Sequence, residues 1–266
     1  MTKEYTSFYQ QFDLEGKIAV VTGGALGIGA GIVERFAEAH ADVVIADINE
    51  RNSHDLLYRL GYSPEDNKSH FISTDVTNSI AVDSMIEKVV ARFGRLDILV
   101  SNAGIYPAKL VTEMSDQEWE RVMGTNLHGT FFTNRAAARQ MKEQGGYGRI
   151  INIGSVDSIR PWKVGLAAYD GSKAGLLGFS RNLALEMAPY EVTVNVIGPG
   201  DIDTPGSGGG NLTSEELKSD RVPLGRRGTP DDVAKLALFL ASPAASYITG
   251  AYIPVDGGWL LTSSNN

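Results

Sequence analysis

The stretch Thr22-Gly23-Gly24-Ala25-Leu26-Gly27-Ile28-Gly29 follows an apolar run, Lys17–Thr22, and leads into a helix-like pattern, Ile28–Ala39. In a strand–turn–helix of this kind, glycines let backbone N–H groups approach a pyrophosphate, and the helix N-terminus favours its negative charge. The spacing is T-G-x-x-x-G-x-G and differs from the commoner G-x-G-x-x-G, and a plain tight turn is the alternative. The stretch predicts a nucleotide site formed by Gly23, Leu26, Gly27, Ile28 and Gly29.

Short β-branched runs alternate with longer helix-like patterns along the chain. The runs are nearly all apolar, which is typical of parallel strands covered on both faces. The predicted strands are Lys17–Thr22, Asp42–Asp47, His70–Ser73, Ile98–Ser101, Arg149–Ile153, Val192–Ile197 and Tyr252–Val255. The predicted helices are Ile28–Ala39, Ile80–Phe93, Thr125–Gln144, Ala167–Met187 and Pro230–Leu240. This order predicts an α/β, single-domain Rossmann fold, a doubly wound parallel sheet of about seven strands with helices on both faces.

No linker, repeat or charge block divides the chain beyond its first residues. Residues 1–13 are predicted to form an N-terminal arm, and residues 14–266 are predicted to form one domain. Met1–Phe12 lacks the basic and apolar regions of a secretory leader. No apolar run approaches the roughly 18 residues that a membrane span needs. We therefore expect a cytoplasmic protein that does not bind a membrane.

The composition excludes several kinds of site. With no cysteine in 266 residues, the chain can form no disulfide, thiol nucleophile or Cys-ligated metal centre. The histidines show no ligand spacing, so no metal is expected; they are His40, His54, His70 and His128. A net charge of -8 argues against nucleic acid as a partner.

Asp47 ends the second predicted strand, Val43-Val44-Ile45-Ala46-Asp47. An acidic residue about 20 positions after the glycine turn accepts hydrogen bonds from the adenosine ribose hydroxyls. It would also repel a 2′-phosphate, since two unit charges about 4 Å apart repel by roughly 4 kcal/mol at an effective dielectric of about 20. Ile48 and Asn49 offer no compensating cation, although Arg51 is near in sequence. The position favours NAD over NADP, and a solvated aspartate at a strand end is the alternative.

Four polar residues suggest chemistry at the carboxyl edge of the predicted sheet. Tyr169 and Lys173 are spaced i and i+4 on a predicted helix and therefore share one face. Ser155 lies just past the fifth strand, at the edge where such sheets bind ligands. Asn126 follows Met123-Gly124-Thr125 in another predicted helix. A Tyr-x-x-x-Lys pair is frequent by chance and can be a surface pair, so its interpretation as a site depends on Ser155 and Asn126.

Together, these motifs resemble those of a classical short-chain dehydrogenase/reductase over about Leu14 to Trp259. In chain order, the motifs are Thr22-Gly23-x-x-x-Gly27-x-Gly29, Asp75-Val76, Asp97-Ile98-Leu99-Val100-Ser101-Asn102-Ala103-Gly104, Asn126, Ser155, Tyr169-x-x-x-Lys173, and Pro199-Gly200 with Thr204. One departure is Asp170-Gly171-Ser172 inside the Tyr/Lys motif, where small residues such as Ala-Ser are usual. Gly171 weakens the helix by up to about 1 kcal/mol relative to alanine.

The resemblance implies an NAD(H)-dependent oxidoreductase that interconverts a secondary alcohol, or a lactol, and a carbonyl. Tyr169 would move the proton, Ser155 would steady the substrate oxygen, and Asn126 would support a water chain. Lys173 would grip the nicotinamide ribose and, together with the oxidised nicotinamide, lower the Tyr169 pKa from its usual value of about 10. The resemblance implies further cofactor residues. Asp75 and Val76 would hold the adenine, and Ile202 and Thr204 would contact the nicotinamide carboxamide. The others are Asn102, Ala103 and Gly104, beside the central strand, and Pro199 and Gly200.

Substrate residues in this family follow the serine and the Pro-Gly pair. The candidates here are Ser155, Asp157, Trp162, Tyr169 and Asp201, with Arg160 and Tyr106 nearby. Such a mixed polar and aromatic rim suits a polyol, a sugar or another small hydroxy compound better than a steroid. A 3-oxoacyl-thioester (acyl-carrier-protein) reductase is the alternative enzyme, although it normally prefers NADPH and needs a basic patch for its carrier protein. A non-catalytic NAD-sensing scaffold is less favoured because such relatives typically lose the Tyr or Lys, and the lack of cysteine excludes a zinc alcohol dehydrogenase.

Assembly and motion can also be anticipated. The resemblance implies a homotetramer with closed symmetry, paired through Thr125–Gln144, Ala167–Met187 and Ala251–Trp259. The Gly-rich segment Thr204–Leu212 has high backbone freedom and no evident side-chain anchor, and Glu215–Lys218 beyond it looks helical. We expect this segment to close over the site when substrate binds; a long surface loop is the alternative.

Overall fold

The computed structural model describes residues 7, 9–63, 65 and 70–262. Its strands are β1 (Ile18–Thr22), β2 (Asp42–Asp47), β3 (Phe71–Ser73), β4 (Ile98–Ser101), β5 (Gly148–Ile153), β6 (Val192–Pro199) and β7 (Tyr252–Val255). They form one seven-stranded sheet in the order β3-β2-β1-β4-β5-β6-β7, in which every pairing is parallel. The predicted doubly wound sheet is confirmed, and its order reverses between β1 and β4, where such sheets bind ligands.

Helices cover both faces of the sheet. They are α1 (Gly27–Glu38), α2 (Glu50–Arg59), α3 (Ser79–Phe93), α4 (Asp116–Met123), α5 (Gly129–Gln144), α6 (Ala167–Met187) and α7 (Pro230–Ala241). Side chains of α1, α2 and α7 share one buried cluster, and those of α3, α5 and α6 share the other. Within the described ranges, no helix combines the length and apolar character needed to cross a membrane.

The sheet's two buried faces explain why its strands are mostly apolar runs that do not alternate with polar residues. Along β1, Ala19 and Val21 enter one core cluster, while Ile18 and Val20 enter the other. From α1, Phe36 packs into the first cluster and is fully buried. Complete burial of such a side chain contributes about 1.5–3 kcal/mol relative to exposure.

Several local predictions differ from the structure, and α2 and α4 have no counterpart among the predicted helices. The helix predicted from Thr125 starts with a π-helical turn, Gly124–His128, that joins α4 to α5. Glu215–Lys218 is a turn and not a helix, because Thr213 and Glu216 cap each other locally and Lys218 then pairs with Arg226 in an isolated bridge. The third predicted strand begins at Phe71, one residue later than expected.

The inner end of the predicted N-terminal arm packs on the body. Residues 1–6 and 8 lie outside the described residues. Tyr9–Gln11 form a 3₁₀ turn, and the Phe12 ring centroid lies 6.4 Å from that of Phe239 on α7. Leu14 is fully buried. The division of the chain at residues 13 and 14 stays a prediction.

Candidate active site

The glycine turn between β1 and α1 brings backbone groups close together. Gly23 has a φ of +62°, and a Cβ there would lie 2.9 Å from Ala103 Cα. A Cβ on Gly29 would overlap the Gly23 carbonyl oxygen. Leu26 precedes α1 and provides no side-chain hydrogen bond to its first turn. The turn therefore presents uncapped helical N–H groups, the arrangement that binds a pyrophosphate.

Asp47 lies where β2 ends, next to the glycine turn. Its Oδ2 accepts a hydrogen bond from the Ala25 N–H at 3.0 Å, and its Oδ1 accepts one from the Asn49 N–H at 2.9 Å. Arg51 does not reach back to it, because Arg51 Nε lies 3.9 Å from Asp55 Oδ2 on α2 and the Arg51 side chain is 91% exposed. The carboxylate is thus fixed by backbone amides at the ligand edge of the sheet.

The end of β4 is tied to the same turn. Asn102 Nδ2 donates to the carbonyl oxygens of Thr22 at 3.1 Å and Gly23 at 2.9 Å. In return, Thr22 Oγ1 accepts from the N–H groups of Asn102 at 3.0 Å and Ala103 at 3.2 Å. These bonds fix the two central strands relative to each other where the order of the sheet reverses.

Asp75 and Val76 follow β3 at the same edge. Asp75 is exposed, and its Oδ1 accepts from the Thr77 N–H at 2.9 Å and from the Thr77 hydroxyl at 2.7 Å. Val76 is buried against the start of α5, where a Cβ on Gly129 would lie 2.8 Å from Val76 Cγ2. Their predicted contact with an adenine stays a prediction.

Ser155, Tyr169 and Lys173 come together beyond the end of β5. Ser155 is 5% exposed, and its carbonyl oxygen accepts from the Tyr252 hydroxyl at 2.9 Å. Lys173 Nζ lies 5.7 Å from the centroid of the Tyr169 ring and donates to the Ile153 carbonyl oxygen at 2.6 Å. The structure thus brings the end of β5 together with the face of α6 that carries Tyr169 and Lys173, as the sequence predicted.

Burial controls the protonation of the tyrosine and the lysine. It raises the pKa of the Tyr169 phenol well above its ordinary value, an effect that a hydrogen bond from Ser155 partly opposes. Burial also lowers the pKa of Lys173 to about 8. The lowered Tyr169 pKa that the sequence suggested does not arise in the chain alone, because burial dominates. Tyr169 is therefore held as a phenol, the form that can donate a proton.

Asn126 lies in the π-helical turn and is fully buried. Its Oδ1 accepts from the Ile105 N–H at 2.8 Å, and its Nδ2 donates to the Ile105 carbonyl oxygen at 2.8 Å and to Ser172 Oγ at 3.1 Å. The side chain therefore fixes the loop after β4 against α6. π turns are frequent at functional sites, but the predicted support of a water chain stays a prediction.

A cleft of about 880 Å³ runs from the glycine turn to Ser155 and Tyr169. The predicted site residues that line it are Gly23, Leu26, Gly27, Ile28, Asn102, Ala103, Gly104, Ser155, Asp157, Trp162, Tyr169, Lys173, Pro199, Gly200, Asp201, Ile202 and Thr204. Those that do not line it are Gly29, Asp47, Asp75, Val76 and Asn126. Gly29 packs against the Gly23 carbonyl, Asn126 lies behind the wall, Asp47 ends β2, and Asp75 and Val76 follow β3.

The cleft also has walls that the sequence analysis missed. Arg121 of α4, Lys163 and Leu166 line it, although no motif marks them. Trp259 follows the last strand and lines it as well, with the Arg160 guanidinium 4.9 Å from the centroid of its ring. The Gly257-Gly258 pair just before Trp259 was the available signal that the chain turns back at this edge.

The Gly-rich segment has side-chain anchors, so the expectation that it has none was wrong. Asp203 is 5% exposed and accepts hydrogen bonds from the N–H groups of Gly210 at 2.7 Å and Leu212 at 3.0 Å. Arg227 donates to Asp201 Oδ1 at 2.9 Å and to Ser207 Oγ at 2.9 Å. Asp201 therefore lines the cleft with a carboxylate already paired, and its contact with substrate and the closure of the segment stay predictions.

Similarity to known proteins agrees with this geometry. The family model described as enoyl-(acyl carrier protein) reductase matches residues 23–260. This chain belongs to the short-chain dehydrogenase/reductase family. It is 41% identical to the 3-oxoacyl-[acyl-carrier-protein] reductase FabG of Chlamydia muridarum, over 92% of this chain and 98% of that protein. It is 36% identical to the 2-dehydro-3-deoxy-D-gluconate 5-dehydrogenase of Dickeya dadantii, over 94% and 97%.

A solved structure of the family is also similar. The 3-ketoacyl-(acyl-carrier-protein) reductase of Brucella melitensis, complexed with NADH, superposes with a TM-score of 0.84 and is 32% identical. The match covers 93% of this chain and 100% of that one. The chain is therefore an oxidoreductase that acts on CH–OH and carbonyl groups.

Proposed function

We propose that this chain uses NAD(H) to interconvert a secondary alcohol and a carbonyl in a small hydroxylated compound, such as a polyol, a sugar or a sugar acid. The observation that carries the proposal is that one cleft joins the glycine turn to Ser155, Tyr169 and Lys173. A cofactor held at the first end would have its reactive ring near the second. The Dickeya relative's sugar-acid substrate lends support to the substrate class.

The residues present fit a nicotinamide dinucleotide. A side chain has no room at Gly23 or Gly29 of the glycine turn, and the uncapped start of α1 would hold the pyrophosphate. Asp47 would hold the adenosine ribose, Lys173 the nicotinamide ribose, and Thr204 the carboxamide. The NADH complex of the Brucella relative supports this fit. Bound there, the cofactor would supply or take up a hydride.

The protein's own part would be to manage the proton and the substrate oxygen. In reduction, Tyr169 would donate its phenolic proton to the carbonyl oxygen while Ser155 hydrogen-bonds the same oxygen. In oxidation, the phenolate would accept the alcohol proton. Protonated Lys173, fixed by the Ile153 carbonyl oxygen, would favour that phenolate because the charges are opposite.

A 3-oxoacyl-thioester reductase is the second candidate, and its support is the 41% identity to the Chlamydia relative. Two features oppose it. Asp47 would repel the 2′-phosphate of NADPH, which such reductases normally prefer. The buried carboxyl of Asp157 also lines the cleft, where an apolar acyl chain would lie.

A substrate panel separates the two candidates. Polyols, sugars, sugar acids and simple alcohols would be tested with NAD and with NADP, and an acetoacetyl thioester with NADH and NADPH, each followed by NAD(P)H absorbance. We expect the highest kcat/KM for a hydroxylated compound with NAD. Faster reduction of the thioester with NADPH than any oxidation with NAD would reject the proposal in favour of the reductase.

We further propose a homotetramer. Phe131 on α5 is 39% exposed and Leu185 on α6 is 76% exposed, so both helices present apolar side chains at the surface. Light scattering at micromolar concentration should give four times the 28.6 kDa mass of the chain. A monomer mass at that concentration would contradict the assembly.

A further inference from the structure

Arg227 is a largely buried arginine in the loop that precedes α7, and its side chain is 17% exposed. Its Nε donates to Asp201 Oδ1 at 2.9 Å. One terminal nitrogen donates to the Ile202 carbonyl oxygen at 3.2 Å and to Ser207 Oγ at 2.9 Å. The other terminal nitrogen lies 3.8 Å from Asp203 Oδ1. A single guanidinium therefore holds together the segment of chain that follows β6.

The Ser207 hydroxyl extends this contact to Thr204. Ser207 Oγ accepts from the Thr204 N–H at 3.1 Å, and Thr204 Oγ1 accepts from the Ser207 N–H at 3.3 Å. Thr204 lines the cleft beside the glycine turn, where a Cβ on Gly27 would lie 3.3 Å from Thr204 Cγ2. Arg227 does not line the cleft. It therefore supports from behind a turn whose front faces the cleft.

The conformation of this turn depends on an arginine in particular. The Gly-rich segment has little intrinsic rigidity, because glycine restricts the backbone least. Asp201 and Asp203 both approach the guanidinium, and without a cation between them their like charges would repel. The planar guanidinium offers five donors in a fixed geometry, so it can bind several acceptors at once, which a lysine ammonium does less well.

We propose that Arg227 is a positioning residue that holds Thr204 in the conformation that binds the nicotinamide, and that it thereby raises the affinity for the dinucleotide. The inference rests on the proposed function, in which the nicotinamide carboxamide lies against Thr204. Arg227 acts through Ser207 and does not touch the cofactor. Without it the turn at Thr204 is released, and ordering that turn costs free energy when the cofactor binds.

The test compares the binding of NADH with that of ADP-ribose, which shares the adenosine and pyrophosphate groups but lacks the nicotinamide. NADH suits the test because its nicotinamide ring is uncharged, so the carboxylate of Asp201 that the substitution frees does not attract it. Calorimetric titration would give both Kd values. In Arg227→Ala, the Kd of NADH should rise by about 10-fold, since hydrogen bonds to a charged group are lost, and that of ADP-ribose by less than about 2-fold.

Ser207→Ala provides a second variant, which breaks the connection to Thr204 and keeps the Arg227–Asp201 pair. It should also weaken NADH binding selectively. The effects of Arg227→Ala and Ser207→Ala should not add in the double variant, because both break one series of contacts. Arg227→Lys should restore part of the affinity, since an ammonium can still pair with Asp201.

Arg221→Ala is the matched control. It removes an arginine from the same loop region before α7, but Arg221 is exposed and does not line the cleft. Both Kd values should stay at the wild-type level in this variant.

Three results would overturn the inference. An equal rise of both Kd values in Arg227→Ala would show that the substitution loosens the whole cleft. An unchanged Kd of NADH in that variant would show that Thr204 does not depend on Arg227. Both results leave the proposed function intact, because the wild type still binds NADH. A wild type that binds neither ligand would reject the proposed function and the inference with it.

Discussion

Replacing Tyr169 with phenylalanine is expected to lower kcat by at least about 100-fold, because the hydroxyl that moves the proton is lost. The ring should stay in place, since the Tyr106 and Tyr169 ring centroids lie 5.9 Å apart in an edge-to-face contact that phenylalanine can keep. NADH should therefore still bind. The measurements are steady-state kcat on the best substrate of the panel and NADH fluorescence titration.

Tyr106→Phe provides the matched control, since it removes a phenol hydroxyl from the same cleft and leaves the proposed proton donor in place. Its kcat should fall much less. Lys173→Ala should be about as damaging as Tyr169→Phe and should in addition weaken NADH binding, because the lysine would also hold the nicotinamide ribose. Near-native turnover of Tyr169→Phe would disprove the role of Tyr169.

The sheet could be predicted from the sequence because its strands are covered on both faces. β1 is apolar from Ile18 to Val21, since Val20 and Val21 enter different cores, and such runs between helical patterns admit few other folds. Elsewhere, local hydrogen bonds determine a structure that the helix-like sequence pattern did not predict. Thr213 and Glu216 cap a single turn where Glu215–Lys218 looked helical, and an α-helical pattern does not reveal the π turn at Gly124–His128.

The site was predictable to the extent that parallel strands end at one edge. Asp47 ends a strand, and Asn102 and Ser155 follow one, so the topology alone brings them to the ligand edge. Pairings between distant residues carry no such signal. The bond from Arg227 to Asp201 and the position of Trp259 depend on tertiary packing that one sequence does not encode in any local pattern.

The pKa of Tyr169 in the chain alone could not be predicted for a related reason. Its direction depends on the balance of burial against nearby charges, and burial is a property of the folded cleft. The sequence showed a lysine one helical turn away, but it could not show that Lys173 is itself buried and donates to the Ile153 carbonyl oxygen.

Asp47→Ser is expected to reverse or abolish the cofactor preference. NAD should lose about 1.5–3 kcal/mol of binding, the typical value of hydrogen bonds to a charged group. NADP should gain, because the repulsion of its 2′-phosphate disappears. Both effects lower the ratio of kcat/KM for NAD to that for NADP, so the ratio should change by more than either value alone. The measurement is kcat/KM with both cofactors in the wild type and the variant.

Serine also removes the acceptor for the Ala25 and Asn49 N–H groups, so the variant could loosen the glycine turn as well as change its charge. Asp47→Asn perturbs the turn less, since it loses the charge but keeps one side-chain oxygen, which can accept from one of the two amides. A preference that shifts equally in both variants points to electrostatics, because both lose the charge whereas asparagine keeps one of the two amide acceptors. A wild type that uses NADP as readily as NAD would show that the adenosine ribose does not bind at Asp47.

Arg51 pairs with Asp55 in the structure, so it is not placed to bind a 2′-phosphate. A gain for NADP that persists in Asp47→Ser/Arg51→Ala would therefore come from lost repulsion and not from a new phosphate contact.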